Sequence, residues 1–490
     1  MSSPAIHVPT GHRSPCKSCG KVANLENAIA RLEIQRCELK RNINRSHSLF
    51  IRMLPPEIVA KISGFANIDF TIIGSLPAPI LLSSVCSDWR RTVVGTPHLW
   101  SSIKIDLPSI SRIPDTAASM LLRLATFIDE WLSRSGQLPL DISLCCDKIS
   151  WHNVAPKKYR PVIKILDKYS SRWQNLSISI PPILLSYFRP DRLPLLEQLN
   201  ITNKGLLLHI TNEGLPSYAI TFPPAPCLHT VKIQSSVGLD HSYLNSLDIG
   251  IQWNTVTHVS VRAITSHICF ALLRLKKLVH CKIHNVVNVT EDHLDTPILS
   301  PLTYLSLHHE SDPSRILDSI KLPCLETLVL LNVTIDPVIA LLKRSACSLH
   351  TLSLQNWLIR KTDKLIPLLQ FLSPSLTALA ISRNPSSIHG TKNYLSLLAR
   401  IYTSQSEVVG NDFLPRLEIF EYTELQEPLP TSESSMLSNL LPSRDYQKPA
   451  TSISLRSAYI NIASVINMDI PYNISPILQR LEEDGILTYI

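Results

Sequence analysis

Glycine is scarce in this chain, although its 490 residues include 36 prolines. Only 13 glycines occur, and no two of them lie fewer than nine positions apart. Gly-rich phosphate-binding loops need glycines only a few positions apart, because the backbone must approach the phosphates closely. The sequence therefore excludes a nucleotide-binding loop of that kind.

Long apolar segments and known catalytic motifs are absent as well. No run of about 18 consecutive apolar residues is present, so we expect no membrane-spanning helix, and the first ten residues lack the apolar core of a secretory signal. Neither a G-x-S-x-G nor an H-E-x-x-H motif occurs. We therefore expect a protein that is not an enzyme, has no cofactor and no membrane partner, and works in the cytoplasm or the nucleus.

The 11 cysteines do not form a disulfide framework. Their number is odd, and free cysteine inside an apolar pattern behaves as a small buried hydrophobe, which is typical of a reducing compartment. Cysteines in such patterns are Cys86, Cys269, Cys281 and Cys347. Cys16 and Cys19 have the spacing of half a zinc site, but no second ligand pair follows nearby. We therefore predict free thiols at these two positions and no metal centre.

The net charge of +8 is modest for a chain of this length. Charged residues make up 18% of the sequence, below the roughly 25% that is usual for soluble domains. A mild positive charge favours acidic partners. No dense run of lysine and arginine with interleaved aromatic residues is present, so we do not expect nucleic acid as a partner.

The N-terminal segment divides into a tail and a helix. Residues 1–22 are rich in Ser, Pro, Gly and His, which predicts a disordered tail. Residues 23–48 are predicted to form an amphipathic helix, because apolar residues recur at helical spacing from Leu25 to Ile43. A coiled coil is predicted with confidence only from about three to four clean heptads, and this segment is too short for that. We therefore interpret it as a helix that packs on the following module.

A second helical region follows at 50–105. One apolar stripe at helical spacing begins at Leu54 and includes Ile58, and another lies within 81–89. Pro55 and the proline after it suit the first turn of a helix, where a missing N–H has no cost. The segment therefore predicts a small, all-helical module.

From residue 106 to residue 473 the chain repeats the pattern apolar-x-x-apolar-x-apolar. Successive copies in the middle of this region start 22 to 24 residues apart. One short strand cannot bury its apolar side alone, but stacked parallel strands form a continuous core. We therefore predict an α/β protein with an irregular leucine-rich-repeat solenoid, capped by a helix at 474–490. The clearest copies begin at Leu196, Leu228, Val256, Leu278, Leu302, Leu325, Leu349, Leu376 and Leu417, and looser copies span 138–144, 173–180 and 450–455.

The segment 54–100 resembles the F-box. The family's Leu-Pro-x-Glu-Ile opening, its Leu-x-x-Val-Cys-x-x-Trp core and its Pro-x-Leu-Trp close all have counterparts in this chain. The matching residues are Leu54, Pro55, Glu57 and Ile58, then Leu82, Val85, Cys86 and Trp89, then Pro97, Leu99 and Trp100. The order of helix, F-box, a Trp-Leu-x-Arg-Ser-Gly segment at 131–136 and degenerate repeats is similar to that of fungal F-box proteins.

This resemblance implies a substrate-receptor subunit of an SCF-type cullin–RING ubiquitin ligase, with a Skp-family adaptor and a cullin as partners. The residues that the resemblance assigns to the adaptor surface are Leu54, Pro55, Ile58, Leu82, Val85 and Trp89. A module this small also needs large apolar residues for its own core, which is the alternative role for Ile62, Val85, Cys86 and Trp89. A ligase-independent protein-interaction scaffold is the alternative for the whole chain.

The repeats also suggest where a substrate binds. Side chains alternate along a strand, so the third, fifth and seventh residues of each copy share the face opposite the apolar residues, which we predict to be concave. Neighbouring strands lie ~4.8 Å apart, so the basic and histidine residues of the middle copies converge on one patch. An acidic or phosphorylated protein segment suits such a patch, with stronger binding at mildly acid pH, whereas a solvated polar face is the alternative. The predicted substrate-binding residues are Lys232, His258, Arg262, His280, Lys282, His284, Tyr304 and His308.

Overall fold

The structure is a computed structural model of the 490-residue chain. It divides into two compact units, the first made of Met1–Asp106 and Asp129–Leu138 and the second of Leu107–Ile128 and Pro139–Ile490. Within the part that the structure describes, no helix has the length and apolar character needed to cross a bilayer. The described residues are 17–47, 58, 61, 77–85, 87–107, 116–146, 156–185, 187–203, 222–235, 251–287, 296–308, 313–355, 365–383, 414–424, 455–461 and 483–489.

The first unit begins with a long helix. Its elements are α1 (Lys17–His47), α2 (Ala78–Val85), α3 (Ser87–Val94), a 3-10 turn (Pro97–Trp100) and β1 (Ser102–Asp106). Residues 17–22, predicted to be disordered, are helical because Val22 continues the apolar stripe one turn before Leu25. The predicted packing of this helix on the following module is wrong for the described residues, since every residue from Lys21 to Ile43 is exposed.

Trp100 is the centre of the described core of the first unit. Its side chain is fully buried, and its indole N–H donates a hydrogen bond of 2.9 Å to the carbonyl oxygen of Val93. The ring meets that of Trp131 edge to face, with 4.7 Å between the ring centroids. The Arg134 guanidinium lies 4.6 Å from the Trp100 ring centroid, a cation–π contact. These contacts tie the Pro-x-Leu-Trp segment to the Trp-Leu-x-Arg-Ser-Gly segment.

The second unit is built on a large parallel sheet, so the chain is a mixed α/β protein. Neighbouring strands of the sheet are hydrogen-bonded to each other, and their order in the sheet follows their order along the chain. The strands are β2 (Leu140–Cys145), β3 (Trp173–Ile180), β4 (Gln198–Asn203), β5 (Thr230–Ser235), β6 (His258–Thr265), β7 (His280–Val287), β9 (Tyr304–His308), β11 (Thr327–Leu331), β12 (Thr351–Gln355), β13 (Ala378–Arg383), β14 (Ile419–Glu424), β15 (Ser457–Asn461) and β16 (Leu487–Tyr489). A small parallel pair, β8 (Ile298–Leu299) and β10 (Ile320–Lys321), lies outside this order.

Helices fill several of the connections between these strands. Their bounds are α4 (Thr116–Arg134), α5 (Arg160–Lys168), α6 (Pro182–Leu185), α7 (Ser266–Leu273), α8 (Ser314–Asp318), α9 (Ile335–Ser345) and α10 (Leu365–Leu372). Helix α9 carries clear sequence signals: Asp336 and Pro337 lie in its first turn, and Arg344 lies in its last. It ends at Ala346, whose backbone is left-handed (φ +49°) and whose N–H donates to the carbonyl oxygen of Leu342.

Each clear copy of the repeat holds one strand, which starts two residues after the copy's first apolar residue. Leu325 illustrates the arrangement, because it is buried in the turn before β11, while Leu328 and Leu330 are buried within the strand. Parallel pairing keeps the copies in register, with Leu328 between Leu305 of β9 and Leu352 of β12. The leucine rows therefore run across the sheet and form its core.

Two predictions near the C-terminus are wrong in position or type. The strand expected at 450–455 begins instead at Ser457. The helix predicted over 474–490 does not reach its end, because Leu487–Tyr489 is β16 and pairs with β15. Gly485 explains the change, since its left-handed backbone (φ +68°) ends a helical turn, and the Ile, Leu, Thr and Tyr residues after it favour a strand.

Candidate functional site

The predicted substrate residues occupy one face of four consecutive strands, β5, β6, β7 and β9. We call this set the basic ladder. It consists of Lys232, His258, Arg262, His280, Lys282, His284, Tyr304 and His308. Parallel pairing arranges its members in three rows that cross the strands, and the apolar residues between them in sequence are buried.

The first row is a stack of three rings. His258 pairs with His280, and His280 pairs with Tyr304 on the next strand. The His258 and His280 ring centroids are 5.4 Å apart, and those of His280 and Tyr304 are 3.8 Å apart with the planes nearly parallel, at 6°. The Thr257 hydroxyl oxygen lies 2.8 Å from Nδ1 of His258, which orients the outer ring. The row is therefore a continuous stack of rings across three strands.

The second row holds two lysines separated by small residues. Lys232 pairs with Ser260, Ser260 with Lys282, and Lys282 with Ser306. The Lys282 ammonium lies 5.5 Å from the centroid of the Tyr304 ring, so it also makes a cation–π contact with the first row. Small neighbours leave the lysine side chains room to reach a ligand above the sheet.

The third row adds an arginine and two histidines. Arg262 pairs with His284, and His284 pairs with His308. The rings of the two histidines meet edge to face, with 4.5 Å between their centroids and 72° between their planes. Together with the second row, this places three permanent cations, Lys232, Arg262 and Lys282, on three adjacent strands.

Burial and neighbouring charge lower the pKa of two ladder histidines. Burial, followed by Lys282 and His258, lowers the pKa of His280 from 6.5 to about 4. Burial, followed by His284 and Lys282, lowers the pKa of His308 to about 4. Both imidazoles are therefore neutral at mildly acid pH before a ligand binds. An anion in contact with these rings would oppose the shift and favour their protonation.

These lowered pKa values predict acid destabilisation of the fold. The pKa of a histidine is about 6.5 in an unfolded chain, so between pH 6.5 and pH 4 the unfolded state binds more protons than the folded state. The contribution of neutral His280 and His308 to the stability of the fold is fully present above pH 6.5 and is lost as the pH falls toward 4. We expect His308→Asn to reduce the fall in melting temperature between pH 7 and pH 5 by roughly 2–4 °C, measured by thermal unfolding.

His350→Asn is the matched control for this measurement, because His350 is exposed just before β12. It should leave the dependence of melting temperature on pH as it is in the unaltered chain. An equal change in both variants, or no change in His308→Asn, would show that the ladder histidines do not determine the acid response.

The rows of the ladder carry no negative charge across the middle strands. At the third, fifth and seventh positions of the copies that contain β5 to β12, no described residue is acidic. Among the described residues of β2 to β16, acidic side chains enter the rows at Asp141 on β2 and Glu421 on β14. Burial raises the pKa of Glu421, and a hydrogen bond with Thr423 partly opposes the rise. The ladder is therefore a positively charged patch bounded along the sheet by acids.

The same face changes character beyond β9. Val329 and Ser353, which follow Ser306 in the second row, are buried, and so is Ala380 after them. The hydroxyl of Ser353 makes no hydrogen bond with the described residues. The face is therefore small and apolar in the copies that follow β9.

Sequence reasoning overlooked the N-terminal continuation of these rows. Asn175 and Gln198 extend the first row, and Asn200 extends the second, with its amide donating to Ser177 Oγ at 3.2 Å. Asn175 belongs to the looser copy at 173–180, whereas Gln198 and Asn200 belong to the copy that begins at Leu196; the third and fifth template positions would have found all three. The ladder is thus continuous with an uncharged polar surface on β3 and β4.

The F-box-like residues are only partly described. Ile58 is 40% exposed and Val85 is 49% exposed, whereas Leu82 and Trp89 are half-buried. Leu81, which the resemblance did not select, is also exposed. Four further positions of the match, Leu54, Pro55, Glu57 and Cys86, lie outside the described residues. Helices α2 and α3 therefore carry apolar side chains at their surface.

Comparisons with known proteins do not identify a family for this chain. No family model matches it, and no curated protein matches it. Among solved structures, it is similar to a chain of the yeast Rad7 and Elc1 complex, with 13% sequence identity and a TM-score of 0.31 over 84% of this chain and 94% of that one. A likeness this weak indicates neither a shared fold nor a shared function.

Proposed function

We propose that this protein is a substrate receptor of an SCF-type cullin–RING ubiquitin ligase. In this proposal the F-box-like segment binds a Skp-family adaptor, and the repeat region, as an irregular leucine-rich-repeat solenoid, binds a protein substrate. The observation that carries the proposal is the F-box-like match at 54–100, together with exposed apolar residues on its helices such as Ile58 and Leu81. Helices with exposed apolar faces are suited to docking in a groove of a partner.

The basic ladder is the proposed substrate surface. It combines three permanent cations with stacked rings and has no acidic residue in its middle rows. Charged clusters of this kind bind carboxylates and phosphates by charge-assisted hydrogen bonds. An acidic or phosphorylated segment of a protein is therefore the proposed ligand, and the row of stacked rings offers contact area to its neighbouring side chains.

Removal of two F-box-like residues tests the adaptor half of the proposal. We expect Leu54→Ala combined with Ile58→Ala to reduce co-purification of the adaptor and the cullin by at least about tenfold, because truncation of central apolar anchors commonly costs about 2 kcal/mol or more. The measurement is affinity purification of the tagged full chain, followed by quantitative mass spectrometry of the adaptor and the cullin.

Leu122→Ala combined with Leu299→Ala is the matched control, since both leucines are exposed and lie outside the F-box-like segment. This control should retain the adaptor and the cullin. If the unaltered chain brings down substrates but neither ligase subunit, the protein is instead a ligase-independent scaffold, and the proposed function is wrong.

A further inference from the structure

Helix α1 presents an apolar stripe to solvent along most of its length. It has 31 residues, which at ~1.5 Å per residue gives a length of about 46 Å, or somewhat more than four heptads. All its residues from Lys21 to Ile43 are exposed. An isolated helix is only marginally stable in water, and packing of an apolar face supplies most helical stability in proteins. The exposed stripe therefore needs a partner.

The stripe follows a heptad repeat over the whole exposed part of the helix. Its residues lie alternately three and four positions apart, and the helix begins six residues before the span 23–48 that the sequence predicted. In the heptad notation abcdefg, the a positions are Val22, Ile29, Arg36 and Ile43, and the d positions are Leu25, Leu32 and Leu39. Apart from Arg36, all of these residues are exposed apolar side chains.

This choice of residues is specific for two parallel helices. β-branched residues at a with leucine at d favour a parallel dimer over higher oligomers, and one polar residue at an a position fixes the register at some cost in stability. Arg36 can supply that polar layer, since its methylene groups pack while its guanidinium reaches the surface. A helix that lies on a membrane has a broad apolar face, whereas this stripe is the narrow a/d seam of a coiled coil.

The charges beside the stripe also fit a parallel pair. In such a pair each g residue faces the e residue of the next heptad on the other helix. Lys21 then faces Glu26 of the second copy, which is attractive, and Gln35 faces Lys40, which is compatible. No g–e contact along the exposed stripe brings like charges together. The charges are therefore compatible with the same register and parallel orientation as the apolar a and d residues.

We propose that α1 forms a parallel two-stranded coiled coil with α1 of a second copy of this chain. The dimer rests on the helix alone and does not depend on the proposed ligase function. It joins two basic ladders in one molecule, which raises the avidity for a substrate with two acidic or phosphorylated segments.

A matched pair of isoleucines on the same helix tests the dimer. Ile29 is 56% exposed and lies at an a position, and Ile34 is 61% exposed and lies at an f position on the opposite side. We expect the full chain at micromolar concentration to have about twice the 54.9 kDa mass of one chain by analytical ultracentrifugation. Ile29→Asp should raise the dissociation constant at least about tenfold, while Ile34→Asp should leave it unchanged.

Cysteine cross-linking tests the orientation. In a parallel pair each d residue faces its own counterpart, so Leu32→Cys should give a covalent dimer on oxidation, and Ile34→Cys should give no more than the unaltered chain. A monomeric full chain, or equal dissociation of Ile29→Asp and Ile34→Asp, overturns the proposal. Binding of the monomeric chain to vesicles with anionic lipids, lost in Ile29→Asp, would assign the stripe to a lipid surface instead. Whether the Ile29→Asp variant still captures the adaptor tests the F-box proposal separately.

Discussion

Reversing the three permanent charges of the basic ladder is expected to abolish substrate capture. The variant Lys232→Glu, Arg262→Glu, Lys282→Glu changes the patch from three positive to three negative charges on adjacent strands. An acidic or phosphorylated segment would then face like charges, and such contacts cost several kcal/mol, so we expect at least about a hundredfold loss of bound substrate. The measurement is quantitative mass spectrometry of proteins that co-purify with the full chain.

The matched control reverses Arg274, Lys276 and Lys277, which are exposed in the turn after α7 and give the same change in net charge. It should keep its substrates, and both variants should keep the adaptor, because neither alters the F-box-like segment. Unchanged capture by the ladder variant would refute the ladder as the substrate surface. An equal loss in the two variants would indicate attraction by net charge alone.

The positions of the strands were predictable because burial repeats with the chain. Each clear copy places three apolar residues in the core, as Leu325, Leu328 and Leu330 do. The copies do not coincide with the strands, however, since Leu325 belongs to the turn before β11. Periodicity identifies which residues are buried, but it does not distinguish a buried turn residue from a buried strand residue.

The neighbours within the ladder were predictable for the same reason. Alternation determines the face, and equal offsets between copies determine that His258, His280 and Tyr304 lie side by side. The stacking of their rings and the lowered pKa of His280 were not predictable, because both depend on ring contacts of a few ångströms and on burial by neighbouring strands. Sequence reasoning thus found the patch but not the lowered pKa of His280 and His308 in the absence of a ligand.

The two ends of the chain show where local pattern failed. Over 474–490 the helical spacing was clear, yet Gly485 interrupts it and pairing with β15 determines the final strand. In the N-terminal helix the pattern was right and the extent too short, because the residues from Lys17 to Val22 looked like a tail by composition. At the C-terminus, pairing with another strand determined the structure. At the N-terminus, the helix extended beyond the segment that the sequence pattern indicated.

Removing one leucine from the centre of the sheet should cause a large loss of stability. Leu328 is fully buried between Leu305 and Leu352, so Leu328→Ala leaves a cavity and is expected to lower the free energy of unfolding by about 2–5 kcal/mol. Leu299→Ala is the control, because Leu299 is 66% exposed and its truncation should change stability by less than about 0.5 kcal/mol. Denaturant unfolding of the full chain measures both.

The loss of stability in Leu328→Ala should also be unequal along the sheet. Each strand of the sheet is bonded to its neighbours in order, so a defect in β11 should weaken β9 and β12 more than the distant β3. Hydrogen exchange of Leu328→Ala should therefore show the greatest loss of protection in 304–308 and 351–355, with little change in 173–180. A uniform loss of protection along all strands would mean that the second unit unfolds as one cooperative core, and the stack of locally coupled repeats would then be the wrong description of its energetics.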